Sequence, residues 1–248
     1  MLLLVLTTLM ATAQAQVVSV PDPGLNAAMR DALQKPAGPL TALDLLSLTN
    51  LSAVGKRVSS LTGLEVAYNL TALDVYHNDL TDVTVLAGLT NLTTLNLGGN
   101  QLLSLTLPAG LTNLRTLDLD YNYLTNLALP AGLSNLTTLD LGFNNLSSLT
   151  LPAGLTNLTT LDLGFNVLSA LTVPARLTRL TTLYLYANSL NPSFTLPAGL
   201  TNLTTLDLYG NYLTSITLPS SLTSLTNLDL GLNGLTSLTK MRGRQRAG

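Results

Sequence analysis

Residues 135–144 read NLTTLDLGFN, and residues 157–166 read NLTTLDLGFN again, 22 positions later. The Asn that closes each copy belongs to a column, Asn78, Asn100, Asn122, Asn144, Asn166, Asn188, Asn211 and Asn233, whose steps are 22 residues except for one of 23. A constant period of about 20–30 residues with leucines at fixed offsets marks a solenoid, in which each unit packs only on its neighbours. Within the copy, TLDLG (160–164) alternates strictly, so Leu161 and Leu163 face one side of a short strand and Thr160, Asp162 and Gly164 the other. Successive strands, parallel and about 4.8 Å apart, then build one long sheet on the inner face of a curve. The column Asn follows the strand where the chain turns, and its amide is expected to bond the backbone of that turn and of the next repeat. LPAGL (151–155), with Pro and Gly between leucines, is too short for more than one helical turn and reads as an extended or tight-turn return on the outer face.

The full unit LPAGLTNLTTLDLGFNVLSALT (151–172) places Leu158, Leu161, Leu163, Asn166 and Leu168 in the pattern L-x-x-L-x-L-x-x-N-x-L. That pattern resembles the leucine-rich repeat family. The resemblance covers residues 48–239 as nine repeats of 22–23 residues, the first of them degenerate, with Leu48, Leu51 and Ala53 in phase but Lys56 in the place of the Asn. It implies an α/β-type solenoid, mostly β and irregular: a curved, right-handed superhelix with a parallel sheet on its concave face. Ahead of the repeats, Asp22 can cap a helix that has Pro23 at its first position. Leu25, Met29 and Leu33 line one face of that helix, Pro36 stops it, and Thr41 can cap a second turn through ALDLL. This element, residues 16–47, covers the end leucines that a solenoid would otherwise expose. It is similar to the helical caps of internalin-like bacterial leucine-rich repeat proteins.

Residues 1–15 carry an apolar run from Leu2 to Ala11 and an Ala13-Gln14-Ala15 cleavage pattern. They resemble a secretory signal peptide, which implies export to the cell surface or beyond and a mature chain beginning at Gln16. The run is too short to span a bilayer, which takes about 20 apolar residues. Cysteine is absent, so no disulfide or thiolate metal site can form. The formal charge of −2 understates the acidity of the body, because four of the eleven basic residues, Lys240, Arg242, Arg244 and Arg246, fall in the segment 240–248, read as a disordered basic tail. The remaining chain sets seven basic against thirteen acidic side chains, which argues against a nucleic-acid partner. The last repeat is followed by no apolar or helical cap, so its leucines are expected to face water.

Two columns of solvent-facing residues run along the inner sheet. One reads Asp74, Asn96, Asp118, Asp140, Asp162, Tyr184, Asp207 and Asp229; the next reads Tyr76, Gly98, Asp120, Gly142, Gly164, Tyr186, Tyr209 and Gly231. Carboxylates stacked at sheet spacing repel, so their pKa values should rise and cations should be welcome. The plainer reading makes each Asp the ordinary, solvated residue of an LDL repeat. The clearest break in the repetition lies at 176–194, RLTRLTTLYLYANSLNPSF, where Arg176 and Arg179 enter, Tyr184 displaces Asp, Tyr186 follows and one residue is inserted. With Tyr209 these tyrosines are expected to form a contact patch, since aromatic residues are enriched in binding hot spots. Ordinary drift between repeats would also give such a change.

Enzyme chemistry finds little support. Asp118 and Asp120 stand two apart on one strand, about 6.5–7 Å between backbones, near the spacing of glycosidase carboxylates. An open sheet, however, offers no pocket to raise one pKa selectively. His77 is the only histidine, so neither a nucleophile's base nor a metal cluster is indicated, and no cofactor or metal is expected. The Asn-Leu-Thr triplets at Asn69, Asn91, Asn135, Asn157 and Asn202 match a glycosylation acceptor but follow from the repeat wording. The expectation is a binding scaffold that holds a protein or peptide on its concave face over Tyr184, Tyr186, Tyr209, Asp118, Asp120, Asp140, Asp162 and Asp207. The alternative is a surface or adhesive protein that meets carbohydrate there.

Overall fold

The computed structural model describes residues 16–240. The signal-peptide reading and all but the first residue of the basic tail lie outside them. Among the described residues two α-helices come first, α1 (Pro23–Leu33) and α2 (Ala42–Leu46). Thirteen short strands follow: β1 (Asn50–Ser52), β2 (Ala72–Asp74), β3 (Thr94–Asn96), β4 (Ser104–Thr106), β5 (Thr116–Asp118), β6 (Asn126–Ala128), β7 (Thr138–Asp140), β8 (Thr160–Asp162), β9 (Thr182–Tyr184), β10 (Thr205–Asp207), β11 (Ser215–Leu218), β12 (Asn227–Asp229) and β13 (Ser237–Lys240). Nine of them form one sheet in the order β1-β2-β3-β5-β7-β8-β9-β10-β12. Every pair is parallel and in register, as in Leu139↔Leu161 and Leu161↔Leu183. This is the leucine-rich repeat solenoid, with its parallel sheet of nine strands and a short helical N-terminal cap.

The column leucines fill the interior completely. Leu155, Leu158, Leu161, Leu163 and Leu168 of one repeat have no exposed surface. Each contributes roughly 1.5–3 kcal/mol by leaving water. The far end differs, because Leu228 is 37% exposed where the equivalent Leu206 is fully covered by the following rung.

The asparagines explain why the period is so strict. Asn144 Oδ1 accepts the N–H of Leu124, 20 residues back, and its Nδ2 donates to the carbonyls of Leu119, Leu141 and Gly142. The same set recurs at Asn78, Asn100, Asn122, Asn166, Asn188, Asn211 and Asn233. The tie therefore runs to the preceding repeat, which corrects the expectation that it runs to the next one. Of the carbonyls reached, that of Leu119 lies in the preceding repeat, and those of Leu141 and Gly142 lie in the Asn's own turn, as expected. All these amides are buried except that of Asn233, which is half-buried.

Two further ladders hold the strand entries. Asn69, Asn91, Asn135, Asn157 and Asn202 donate to carbonyls of the preceding repeat, as Asn135 Nδ2 does to Thr112 O at 3.0 Å. The Thr that ends each Asn-Leu-Thr triplet does likewise, as Thr159 Oγ1 does to Thr137 O at 2.9 Å. The triplets are thus repeat-spanning backbone ties.

The return segments are extended or turned, as the sequence implies, but two features were not legible there. The stretches after the Asn turn pair in places, β4 with β6 and β11 with β13, giving a sparse second row of strands that ends at Lys240. Early repeats instead form 3-10 turns at Leu64–Val66 and Thr84–Gly88. In the second of these the Leu86 N–H donates to Val83 O; the equivalent residue one repeat later is Pro108, which has no N–H to give.

At the N-terminus Asp22 caps α1 through Leu25 N–H at 2.9 Å and with its other oxygen accepts from Ser59 and Ser60 of the first repeat. Burial alone would raise its pKa, but those bonds outweigh it and hold the carboxyl below its ordinary value. α1 ends at Leu33, with Gln34 in a left-handed C-cap two residues before Pro36. Thr41 and Asp44 form a reciprocal capping box on α2. Among the described residues no helix is long and apolar enough to cross a membrane.

Candidate binding face

Each strand ends with its third residue pointing to the inner face, and there the Asp column has a structural task. Asp140, Asp162, Asp207 and Asp229 accept the N–H two residues on, at 2.8–2.9 Å. Asp74, Asn96 and Asp118 do the same. That local bond explains the default Asp without any ligand. Tyr184 cannot make it, so the substitution at that rung gives up a backbone bond in exchange for an aromatic surface.

Asp120 stands apart. Its carboxyl folds into the space that Gly98 leaves open, next to Tyr76 and Asp118, and its buried Oδ1 finds no hydrogen-bond partner among the described residues. Burial first, then the charges of Asp118, Asp140 and Asp162, push its pKa up to about 7. Asp162 is raised to about 6, again chiefly by burial and then by Asp140 and Asp207, against the pull of the Gly164 N–H. Asp140 and Asp207 are also raised, with burial the leading cause. Repulsion along the column thus comes second to desolvation. An open sheet does raise its carboxyls, and Asp120 further than Asp162, where the glycine on the neighbouring rung leaves space for the carboxyl to bury an oxygen.

The sign of the pH effect follows. A carboxyl whose folded pKa is raised favours the fold when protonated, and that contribution is lost as pH rises through 6 to 7. Thermal stability is therefore expected to be higher at pH 5 than at pH 8. Asp120→Asn should flatten the profile and stabilise the protein at pH 8 by about 1 kcal/mol, after allowing for solvent screening of a carboxyl that is only partly buried. Melting curves across that range check it, and an unchanged slope in the variant would assign the effect elsewhere.

The tyrosines of the break do not form one cluster. Tyr186 leans back over Gly164, packs edge-on against Phe165 at 5.4 Å and meets Tyr184 at 6.1 Å. Tyr209 leans the other way, over Gly231, and is 42% exposed. Arg176 and Arg179 are exposed in the turns that precede the strand, away from these rings.

What Tyr186 joins is a ladder that the sequence analysis passed over. Tyr121 stacks on Phe143 at 4.1 Å and Phe143 on Phe165 at 4.3 Å, nearly parallel in both cases. These residues share the position just before the column Asn, and all three adopt a left-handed backbone, with φ of 46°, 52° and 50°. A bulky side chain there costs about 1–2 kcal/mol relative to Gly. The 22-residue spacing of Tyr121, Phe143 and Phe165 was the available signal. Among the described residues no group of three His, Asp or Glu is placed to hold a metal ion.

A stack of in-register rungs with polar inner columns defines a class, the leucine-rich repeat solenoid. The family described as "Leucine Rich repeats (2 copies)" matches overlapping segments that span residues 68–175 and 201–242, and the chain belongs to that family. It is an internalin-like member. It is similar to internalin C2 of Listeria monocytogenes, with 31% identity and a TM-score of 0.66 over 89% of this chain and 94% of that one. To an internalin, inlF, of the same organism it is 28% identical, with a TM-score of 0.61 over 89% of this chain and 75% of the other. A plant receptor kinase ectodomain from Arabidopsis thaliana, solved in complex with Casparian strip integrity factor 2, is 26% identical with a TM-score of 0.56, covering 75% of this chain and 28% of that one. No curated protein matches the chain. Leucine-rich repeat proteins of this kind are protein-interaction modules.

Proposed function

We propose that the chain is an exported, non-enzymatic binding module whose concave face holds a protein or peptide partner. The observation that carries this reading is the concentration of unfavourable local choices on one surface. Tyr184 forgoes the backbone bond its column otherwise makes, and Tyr121, Phe143 and Phe165 put bulky rings at a turn position that is left-handed at His77, Ala187 and Leu232 as well, forming a continuous strip beside the carboxylates. Stacking between neighbouring rings returns part of that cost, and contact with a partner would return the rest. The Asp118, Asp120, Asp140, Asp162 and Asp207 carboxylates flank the strip and favour a partner with basic side chains.

The test screens the purified repeat domain against panels of proteins and polysaccharides and then compares a Tyr184→Ala, Tyr186→Ala, Tyr209→Ala variant on whatever protein binds. At least a tenfold loss of affinity is expected, with the melting temperature lower by several degrees at most, since Tyr209 is exposed and Tyr184 and Tyr186 are only half-buried. Unchanged affinity would remove these three from the site. The export part of the reading is checked by the N-terminus of secreted chain, expected at Gln16; intact Met1 would refute it.

A further inference from the structure

The ring ladder is incomplete at its N-terminal end, and the gap has a shape. The position before the column Asn is Tyr121, Phe143 and Phe165 in the ladder, but toward the cap the same column reads Gly99, His77 and Gly55. Tyr121 is stacked on Phe143 on one side only, and it is 51% exposed. Toward the cap the column passes to Gly99, whose open side is bordered by the Tyr76 ring, and one repeat further to the exposed His77, whose imidazole lies 6.1 Å from the Tyr76 ring. Neighbouring rings in the ladder stand 4.1–4.3 Å apart, so two repeats leave room for one intervening flat ring. A groove of about 460 Å³ occupies this stretch, lined by the rings of His77, Tyr121 and Tyr123 and by the polar side chains of Arg57, Asp79 and Gln101. Its size is that of a small-molecule site.

We infer that this groove is a carbohydrate subsite, in which an all-equatorial hexopyranose ring takes the place of the missing rung between His77 and Tyr121. This site lies at the turn edge of the first repeats and shares Tyr121 with the strip of rings in the concave-face reading above. Such a sugar presents axial C–H groups on both flat faces, and these suit the electron-rich faces of two flanking rings. Its hydroxyls run around the edge as mixed donors and acceptors. The rim answers with both kinds: Arg57 only donates, Asp79 only accepts, and Gln101 and Tyr123 do either. Gln101 Nε2 already donates to Asp79 Oδ1 at 2.8 Å, which fixes the two side chains against each other. Among the described residues, the side chains of Arg57, His77 and Tyr123 make no hydrogen bond of their own, so their polar atoms are available. The rim holds one cation and one anion and so suits a neutral ligand. A phenyl or phenol side chain from a peptide would fill the slot but leave Arg57, Asp79 and Gln101 desolvated and unanswered.

The single histidine makes the groove observable, because the imidazole C–H resonances in a proton NMR spectrum come from His77 alone. Titration with cellotetraose is expected to move them in a saturable way. Gly99→Phe should fill the rung and abolish the shift. The column already accepts aromatic residues at this backbone conformation, and a Cβ at Gly99 would press the His77 backbone at 3.1 Å, a contact relieved by a small adjustment. Tyr121→Ala removes one wall without adding bulk and should weaken binding at least fivefold. No movement of the resonances at millimolar cellotetraose, or movement that survives in both variants, would overturn the assignment. A shift produced by N-acetyl-tyrosinamide but not by cellotetraose would also overturn it, in favour of a peptide ring. The Tyr184→Ala, Tyr186→Ala, Tyr209→Ala variant, whose residues do not line this groove, should leave the cellotetraose shift unchanged, so failure here and failure of the proposed function are read separately.

Discussion

Asn144→Ala is expected to destabilise the fold by roughly 3 kcal/mol or more, the sum of several small penalties at one site. The amide satisfies one N–H, that of Leu124, and three carbonyls, those of Leu119, Leu141 and Gly142, and it does so fully inside the protein. Alanine answers none of them. Each buried polar group left unpaired costs about 1–3 kcal/mol, with the N–H the worst case because it has no second option. Asn144→Asp is no rescue, since it keeps the acceptor, loses both donors and buries a charge. The internal control is Asn233→Ala in the half-buried last rung, where water can replace the amide and the loss should fall near 1 kcal/mol. Chemical denaturation of the three variants measures this. Equal, small losses at both positions would mean that water reaches the central rungs as well.

Most of the fold was legible because one rule was written many times. The 22-residue period, the two-residue alternation and the Asn column set the parallel register before any contact was known. The cap was readable for a different reason: Asp22 before Pro23, and Thr41 three residues before Asp44, are local signatures whose bonding partners lie within a few positions. What escaped was information about neighbours. The direction of the Asn tie depends on which strand is already beside the turn. The raised pKa of Asp120 depends on Gly98 next door and not on Asp120 itself. Tyr186 and Tyr209 occupy the same column, yet their rings part because each leans over a different glycine, Gly164 on one side and Gly231 on the other. The aromatic ladder was periodic enough to find, but attention to the inward-facing strand positions missed the turn position where it stands.

Gly199→Ala is expected to cost about 1–3 kcal/mol, although the same change at Gly110 should be close to neutral. Both glycines sit in the identical pentapeptide LPAGL, at 107–111 and at 196–200, and neither has the left-handed backbone that would reserve the position for glycine. On dihedral grounds alone alanine would be mildly favourable at both, since it restricts the unfolded chain. The difference lies in what a methyl group would meet. At Gly110 it would approach the Cγ2 of Thr90 at 3.0 Å, the end of a side chain that can give. At Gly199 it would overlap the backbone carbonyl oxygen of Ala175, with the carbonyl carbon at 2.9 Å, and main chain cannot rotate away. The one 23-residue step falls immediately before Gly199, and the inserted stretch tucks Phe194 into the core, so this return runs closer to its predecessor than the others do. Gly154, whose methyl would overlap the Ala131 carbonyl oxygen, should fall between the two. Thermal denaturation of the three single variants ranks them. If Gly199→Ala proves as benign as Gly110→Ala, the repeats can slide apart locally at small cost, and the tightness of the seventh-to-eighth junction is not a constraint on the fold.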